Sequence, residues 1–150
     1  MPVYLFALAC LNNIDLAKAI TGFLALHLFI YPASNGYNSY MDKDTESIGG
    51  LKNPPIPGKN LFYASFIFDM LGLTLCCAVS LSFAFFIMLY VLASRAYSFK
   101  GIRLKKFPFA SWVTVSFFQG SYLFVVLFFC LSSNIKAEIF PSFIFFVPSL

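Results

Sequence analysis

The feature that most limits how this chain can fold is an apolar run of 39 residues, from Asn60 to Ser98. One membrane-spanning helix needs only about 20 apolar residues, so the run predicts a hairpin of two transmembrane helices. We expect the hairpin to turn near residues 78–82. Residues 16–34 and 107–131 form two further runs, each long enough for one span. The sequence therefore predicts an all-α, polytopic transmembrane helix bundle.

The composition supports the same class of protein. Hydrophobic residues make up 60% of the 150 residues and charged residues only 11%, whereas soluble domains carry roughly a quarter of charged residues. So few charged residues cannot cover the surface of a soluble domain, which excludes that class. We expect an integral membrane protein in contact with lipid. The expected membrane is of the bacterial inner-membrane type. The net charge of +4 is attributed to membrane topology, and no nucleic-acid partner is expected.

The apolar runs divide the chain into about four to five helices in one partial domain, residues 1–150. The first and last stretches are shorter than a full span, which predicts that the chain is part of a larger bundle. The predicted spans are 1–11 (partial), 16–34, 60–78, 81–97, 107–131 and 139–150 (partial).

A polar segment, predicted as a loop over Ser34–Lys59, contains half of the acidic residues of the chain. Within it, Asn38, Asp42 and Glu46 are spaced four residues apart, which on a helix would place all three on one face. Carboxylate and carboxamide oxygens are ligands for hard divalent cations, and such cations commonly hold phosphate groups. The spacing therefore predicts a Mg²⁺ site.

The basic residues indicate the orientation. Eight of the ten lie in or beside two polar segments that the hairpin brings to one side of the membrane, and the positive-inside rule makes that side cytoplasmic. An acidic and a basic cluster would then share one membrane face and could together bind a diphosphate. The eight are Lys43, Lys52, Lys59, Arg95, Lys100, Arg103, Lys105 and Lys106.

Three polar residues inside the apolar runs, His27, Asp69 and Gln119, are candidates to line a cavity. If the second helix continues through Pro32, a projection at 100° per residue places His27 in one polar stripe that reaches Asp42. The alternatives are structural: a transmembrane histidine can serve as an interhelical hydrogen-bonding group, and a buried aspartate can be protonated or ion-paired.

Three segments resemble motifs of the UbiA-type intramembrane prenyltransferases. Residues 38–46 resemble the first Asp-rich motif of that family, Asn-Asp-x-x-Asp-x-x-x-Asp. Residues 55–58, Pro-Ile-Pro-Gly, resemble the Arg-Pro-Leu-Pro-x-Gly segment that follows it. Tyr97-Ser98 and residues 103–108 are similar to the later Tyr and Lys-Arg segment of the family. The likeness extends in order and topology over about residues 1–131.

The resemblance implies a bundle of helices around a central cavity, in which Mg²⁺ binds a prenyl diphosphate. The prenyl group would be transferred to a lipophilic acceptor, often an aromatic ring. Carried over by position, Asn38, Asp42 and Glu46 would be the metal ligands. The residues implied to contact the diphosphate substrate are Asn35, Tyr97, Arg103, Lys105 and Lys106.

The chain also departs from the family pattern. Ser39 stands in place of an Asp, Glu46 in place of the final Asp, and Pro54 in place of an Arg. The second Asp-rich motif of the family has no counterpart here, so the chain resembles the first half of such an enzyme. It is expected to be inactive alone, with a second-half chain as an implied partner. Two other functions stay open: a noncatalytic membrane subunit or pseudoenzyme, and a transporter fragment.

Overall fold

The computed structural model describes residues 2–43, 56–102 and 104–132 of the chain. The prediction of an all-α helix bundle is confirmed over these residues. They form five helices, together with a short 3-10 turn at Leu104–Lys106. The helices are α1 (Pro2–Ala9), α2 (Leu16–Asp42), α3 (Lys59–Val79), α4 (Leu81–Ser98) and α5 (Pro108–Leu131).

Helices α2 to α5 are each long and apolar enough to cross a membrane. Many of their large apolar side chains point away from the bundle; Leu81, for example, is 79% exposed and Phe109 is 77% exposed. Such a surface is costly in water and favourable against lipid tails. The chain is therefore an integral membrane protein whose outer surface contacts lipid.

The long apolar run forms a hairpin that turns at Ser80, inside the predicted range. Ser80 has an extended backbone (φ −171°, ψ 157°), which separates the end of α3 from the start of α4. Its hydroxyl oxygen accepts a hydrogen bond of 3.0 Å from the backbone N–H of Phe83. Serine is a favoured residue at this capping position because it satisfies an N–H that the first helical turn leaves unpaired.

Helix α2 continues past Pro32, so the predicted span of 16–34 is too short and the predicted loop begins too early. Residues 35–42 are helical. The segment is rich in Ser, Asn and Gly, which favour turns, but it packs against α3 and α4, and its Tyr37 is buried. Tertiary packing of this kind outweighs weak helix propensity.

A π-helical stretch, Ala25–Ile30, lets α2 accommodate its proline. The backbone N–H of Tyr31 donates to the carbonyl of Leu26, five residues earlier. In a regular α-helix the ring of Pro32 would clash with the carbonyl four residues earlier, and the wider turn relieves that contact. The helix then ends at Asp42, because Lys43 adopts a left-handed conformation (φ 49°).

Close packing between α2 and α3 depends on a glycine. A Cβ atom at Gly72 would lie 2.6 Å from Cδ1 of Ile30 and 3.1 Å from Cβ of Phe29. Small residues allow transmembrane helices to approach closely, since packing rather than the hydrophobic effect holds them together in lipid. This contact sets α2 against the hairpin.

Helix α1 packs against α5 and completes the bundle. Its Tyr4 is buried, and the Tyr4 hydroxyl donates to the carbonyl of Ala19 in α2. An isolated β-bridge joins Ile14 to Ser132 at the same end of the bundle. The remaining predicted span, residues 139–150, lies outside the described residues.

Candidate functional site

The candidate site lies where four helix ends meet, at what we call the polar end of the bundle. Helices α2 and α4 end there and α3 and α5 begin there. The short turn before α5 carries Lys105, whose ammonium contacts the carboxylate of Asp42. The same ammonium donates a 3.1 Å hydrogen bond to Oδ1 of Asn38. The acidic motif and the basic segment that the sequence placed on one face are thus in direct contact.

The carboxamide of Asn38 is held from two sides. Its Oδ1 accepts a 2.7 Å hydrogen bond from the hydroxyl of Ser98, in addition to the bond from Lys105. The side chains of Lys105 and Asp42 are only 16% and 15% exposed. Coulombic attraction is stronger in such a partly buried position than at an open surface, where water and salt screen it. Together these four residues form what we call the Lys105 cluster.

A cavity of about 460 Å³ adjoins the Lys105 cluster and lies among α1, α2, α4 and α5. Its wall includes Asn38 and Ser98 of the cluster. It also includes three further residues that were predicted from the sequence, namely Asn35, Tyr97 and Gln119. Gln119 belongs to a π-helical stretch of α5, Ser116–Tyr122. Distortions of this type in α-helices are frequent at functional sites.

Tyr97 also ties α4 to α5, because its hydroxyl shares a 2.7 Å hydrogen bond with that of Ser111. The other proposed substrate contacts that the structure describes do not line the cavity. Lys106 is exposed in the 3-10 turn beside Lys105. Arg103 and Glu46 lie outside the described residues.

Among the described residues, His27 is not part of the cavity wall. Its Nδ1 lies 3.0 Å from the carbonyl oxygen of Phe23, and its ring stacks on that of Phe23 at 4.1 Å between centroids. The ring of Tyr31, which does line the cavity, contacts His27 edge-on at 5.1 Å. His27 lies one turn further along α2 from the polar end than Tyr31 and packs among the rings of Tyr4, Phe23 and Tyr31. A projection at 100° per residue gives the direction of a side chain around the helix and does not show such neighbours.

Asp69 forms a buried ion pair with Arg95, which favours the structural interpretation of this residue. Nε of Arg95 donates to Oδ2 of Asp69 at 3.1 Å, and Nη1 and Nη2 donate to the hydroxyl and carbonyl oxygens of Ser65. The guanidinium also stacks on the ring of Tyr37 at 4.0 Å. Planar guanidinium groups suit such bidentate and stacked contacts. The pair joins α3 to α4, and the stack extends the contact to α2.

Sequence reasoning missed the role of Arg95 because it was counted with the basic loop residues. One signal could have identified it. Arg95 lies within the 39-residue apolar run, before its end at Ser98, and a charged residue in a span needs a partner. Asp69 is the acidic residue in the same run.

The Lys105 cluster is also the place where a metal ion could bind. Over residues 2–43, 56–102 and 104–132, no three His, Cys, Asp or Glu side chains lie close enough to form a metal site by themselves. However, the oxygens of Asn38 and Asp42 converge on one ammonium. This donor set fits a hard cation that takes its remaining ligands from phosphate and water, as Mg²⁺ commonly does.

No family model matches the chain, and no curated protein or solved structure matches it. The fold and the site therefore define its class. It is an integral membrane helix bundle with a polar cavity that opens beside a lysine, an aspartate and an asparagine.

Proposed function

We propose that the chain is a membrane protein of the UbiA prenyltransferase type that binds a prenyl diphosphate with Mg²⁺. The observation that carries this proposal is the contact of Lys105 with both Asp42 and Asn38 beside the cavity. A diphosphate needs cations around its oxygens, and a metal ion that accompanies it needs oxygen ligands. Both kinds of group meet within the Lys105 cluster.

The residues of the cluster have separate roles in this proposal. Asn38 and Asp42 would hold the metal, with Glu46 as a further ligand. Mg²⁺ would neutralise the negative charge that develops on a departing diphosphate. Lys105 would form charge-assisted hydrogen bonds to the phosphate oxygens, which are among the stronger hydrogen bonds in proteins. Arg103 and Lys106 are proposed to add positive charge around the same group.

The adjoining cavity gives this proposal its spatial basis. Asn35 and Tyr97 lie in its wall within one helical turn of Asn38 and Ser98 and would contact the diphosphate at the mouth of the cavity, beside the Lys105 cluster. The prenyl chain would lie along the apolar surface of the bundle, which faces lipid. A lipophilic acceptor, with an aromatic ring as one form, would receive the prenyl group. We propose that transfer requires a second-half chain, and that the polar end faces the cytoplasm of a bacterial-type cell.

The noncatalytic alternative keeps the same binding site and omits transfer, so binding is the property to test first. The transporter alternative rests on three polar residues within the spans, Asp69, His27 and Gln119, of which Gln119 lies in the cavity wall. The ion pair with Arg95 accounts for the carboxylate of Asp69 as a structural contact between helices, and Asp69 therefore no longer favours a transporter.

The test is the binding of farnesyl diphosphate to the purified chain in lipid nanodiscs, measured by isothermal titration calorimetry. We expect binding in the presence of Mg²⁺ and its loss when EDTA removes the metal. Farnesol, which has the same chain without the diphosphate, serves as the matched control and should bind much more weakly. Metal-independent binding, or equal binding of farnesol, would refute the proposal.

A further inference from the structure

The wall of the cavity is polar but carries no formal charge in the part of the chain that the structure describes. Hydroxyl and carboxamide groups from three helices line it. Six of these side chains make no hydrogen bond to another described residue. They are Tyr31, Ser34 and Asn35 from α2, Tyr90 and Ser94 from α4, and Gln119 from α5.

These unpaired groups open into the cavity instead of being sealed in the protein. Among the described residues, the fully buried side-chain atoms without a partner are Nε2 of His27 and Oδ1 of Asp69, and neither belongs to the cavity wall. Tyr90 is only 4% exposed and lines the cavity, roughly 12 Å along α4 from Ser98. Polar groups at such a depth are costly unless they hydrogen-bond, so the cavity requires polar contents.

The chemistry of the wall limits what those contents can be. Deep in the cavity, away from the Lys105 cluster, a charged ligand group would lie beside neutral residues, without the opposite charge that a buried ion needs. Hydroxyl and carboxamide groups, by contrast, both donate and accept hydrogen bonds. They complement a ligand that carries several hydroxyl groups. Pro2, Val3 and Leu123 add an apolar part of the wall that can contact the start of a hydrocarbon chain. The volume lies within the range of about 300–1,000 Å³ of small-molecule sites.

We propose that this cavity binds an uncharged headgroup with several hydroxyl groups, of the kind found in glycerol or sugar lipids. Under the proposed function, the molecule that carries this headgroup would be the acceptor of the prenyl group. The inference rests on the proposed function in this respect alone. Its binding needs neither Mg²⁺ nor a diphosphate. Failure of this proposal and failure of the proposed function are therefore distinguishable.

The experiment uses three ligands with the same oleoyl chain and different headgroups: monooleoylglycerol, oleate and oleoylcholine. Native mass spectrometry counts the molecules bound to the purified full chain from an equimolar mixture. We expect a one-to-one complex with monooleoylglycerol, favoured at least about tenfold over both charged ligands because the wall cannot compensate their charge. Free glycerol is added in a separate arm. Displacement by free glycerol would identify a soluble polyol as the source of the headgroup, and its failure to displace would identify a lipid; either outcome supports the shared chemistry.

Two variants locate the binding. Tyr90→Phe and Gln119→Leu should each weaken binding about threefold to tenfold, as expected for the loss of one hydrogen bond. Tyr63→Phe is the matched control, because Tyr63 is 60% exposed on the outer surface, and it should bind as the unmodified chain does. Equal binding of oleate or oleoylcholine would overturn the proposal without any variant. Unchanged binding in both cavity variants would also overturn it.

Discussion

The ammonium of Lys105 contacts the carboxylate of Asp42 although the two residues are 63 positions apart in the sequence. The contact joins the end of α2 to the turn before α5, and the hydrogen bond from Lys105 to Asn38 reinforces it. Without these contacts, the acidic and basic segments would share a membrane face but not a site. The proposed function depends on this relationship.

Lys105→Met should weaken the binding of farnesyl diphosphate. A hydrogen bond to a charged group contributes about 1.5–3 kcal/mol, so we expect the dissociation constant to rise about 10- to 100-fold. Titration calorimetry in the presence of Mg²⁺ measures it. Lys59→Met is the matched control, since Lys59 is an exposed lysine at the same end of the bundle. If both substitutions raised the dissociation constant equally, binding would depend only on the overall positive charge of this end, which would contradict a specific role for Lys105.

The ion pair between Asp69 and Arg95 predicts a large effect on stability. Asp69→Ala leaves the guanidinium of Arg95 buried without its carboxylate, and breaking such a pair costs about 3–5 kcal/mol. Thermal unfolding in detergent measures the loss. The double variant Asp69→Leu with Arg95→Met replaces the pair by apolar groups and should recover most of the stability. A double variant as unstable as Asp69→Ala would contradict this account.

Gly72→Ala should destabilise the bundle by about 1–3 kcal/mol, because its Cβ would overlap Ile30 and overpacking forces the helices apart. Gly120→Ala is the matched control, since a Cβ there meets no heavy atom within 4 Å. Unfolding temperatures of the two variants provide the comparison. Equal unfolding temperatures would show that α2 and α3 do not pack as closely as described.

His27→Phe should leave the binding of farnesyl diphosphate unchanged. His27 lies behind Tyr31 and stacks on Phe23, so an aromatic replacement keeps the ring contacts and removes the unpaired Nε2. The substitution also removes the hydrogen bond between Nδ1 and the carbonyl of Phe23, which opposes the gain, so the thermal stability should change little. A clear loss of affinity in calorimetry would show that His27 contributes directly to the site, as the sequence projection suggested.

The four full spans within the described residues and the hairpin could be predicted because they depend on the lengths of the apolar runs. An apolar run of 39 residues cannot lie in the membrane as one ordinary span, and the turn at Ser80 follows from that limit. The end of α2 could not be predicted in the same way. Residues 35–42 are rich in Ser, Asn and Gly, which favour turns. Their helix is stabilised by contacts with α3 and α4 that the local sequence does not reveal.

The candidate site was predictable only in outline. The hairpin returns the chain to the same side of the membrane, so Asp42 and Lys105 were predicted to lie on one membrane face. Their direct contact, however, depends on the path of the chain between α4 and α5. His27 does not line the cavity because the rings of Phe23 and Tyr31 pack against it, and a helical projection does not show which rings pack against a side chain. Arg95 was missed because its charge was assigned to a loop, whereas its side chain reaches Asp69 inside the bundle.

The most direct test of the central claim compares Asp42→Asn with Asp15→Asn in Mg²⁺-dependent binding of farnesyl diphosphate. Both substitutions remove one carboxylate from an end of α2. Asp15 lies at the opposite end, where it caps the helix by accepting a 3.1 Å hydrogen bond from the N–H of Lys18, and asparagine caps equally well. We predict that the unmodified chain and Asp15→Asn bind only with Mg²⁺ and that Asp42→Asn does not bind. Full binding by Asp42→Asn, or binding by any of the three without Mg²⁺, would contradict the account.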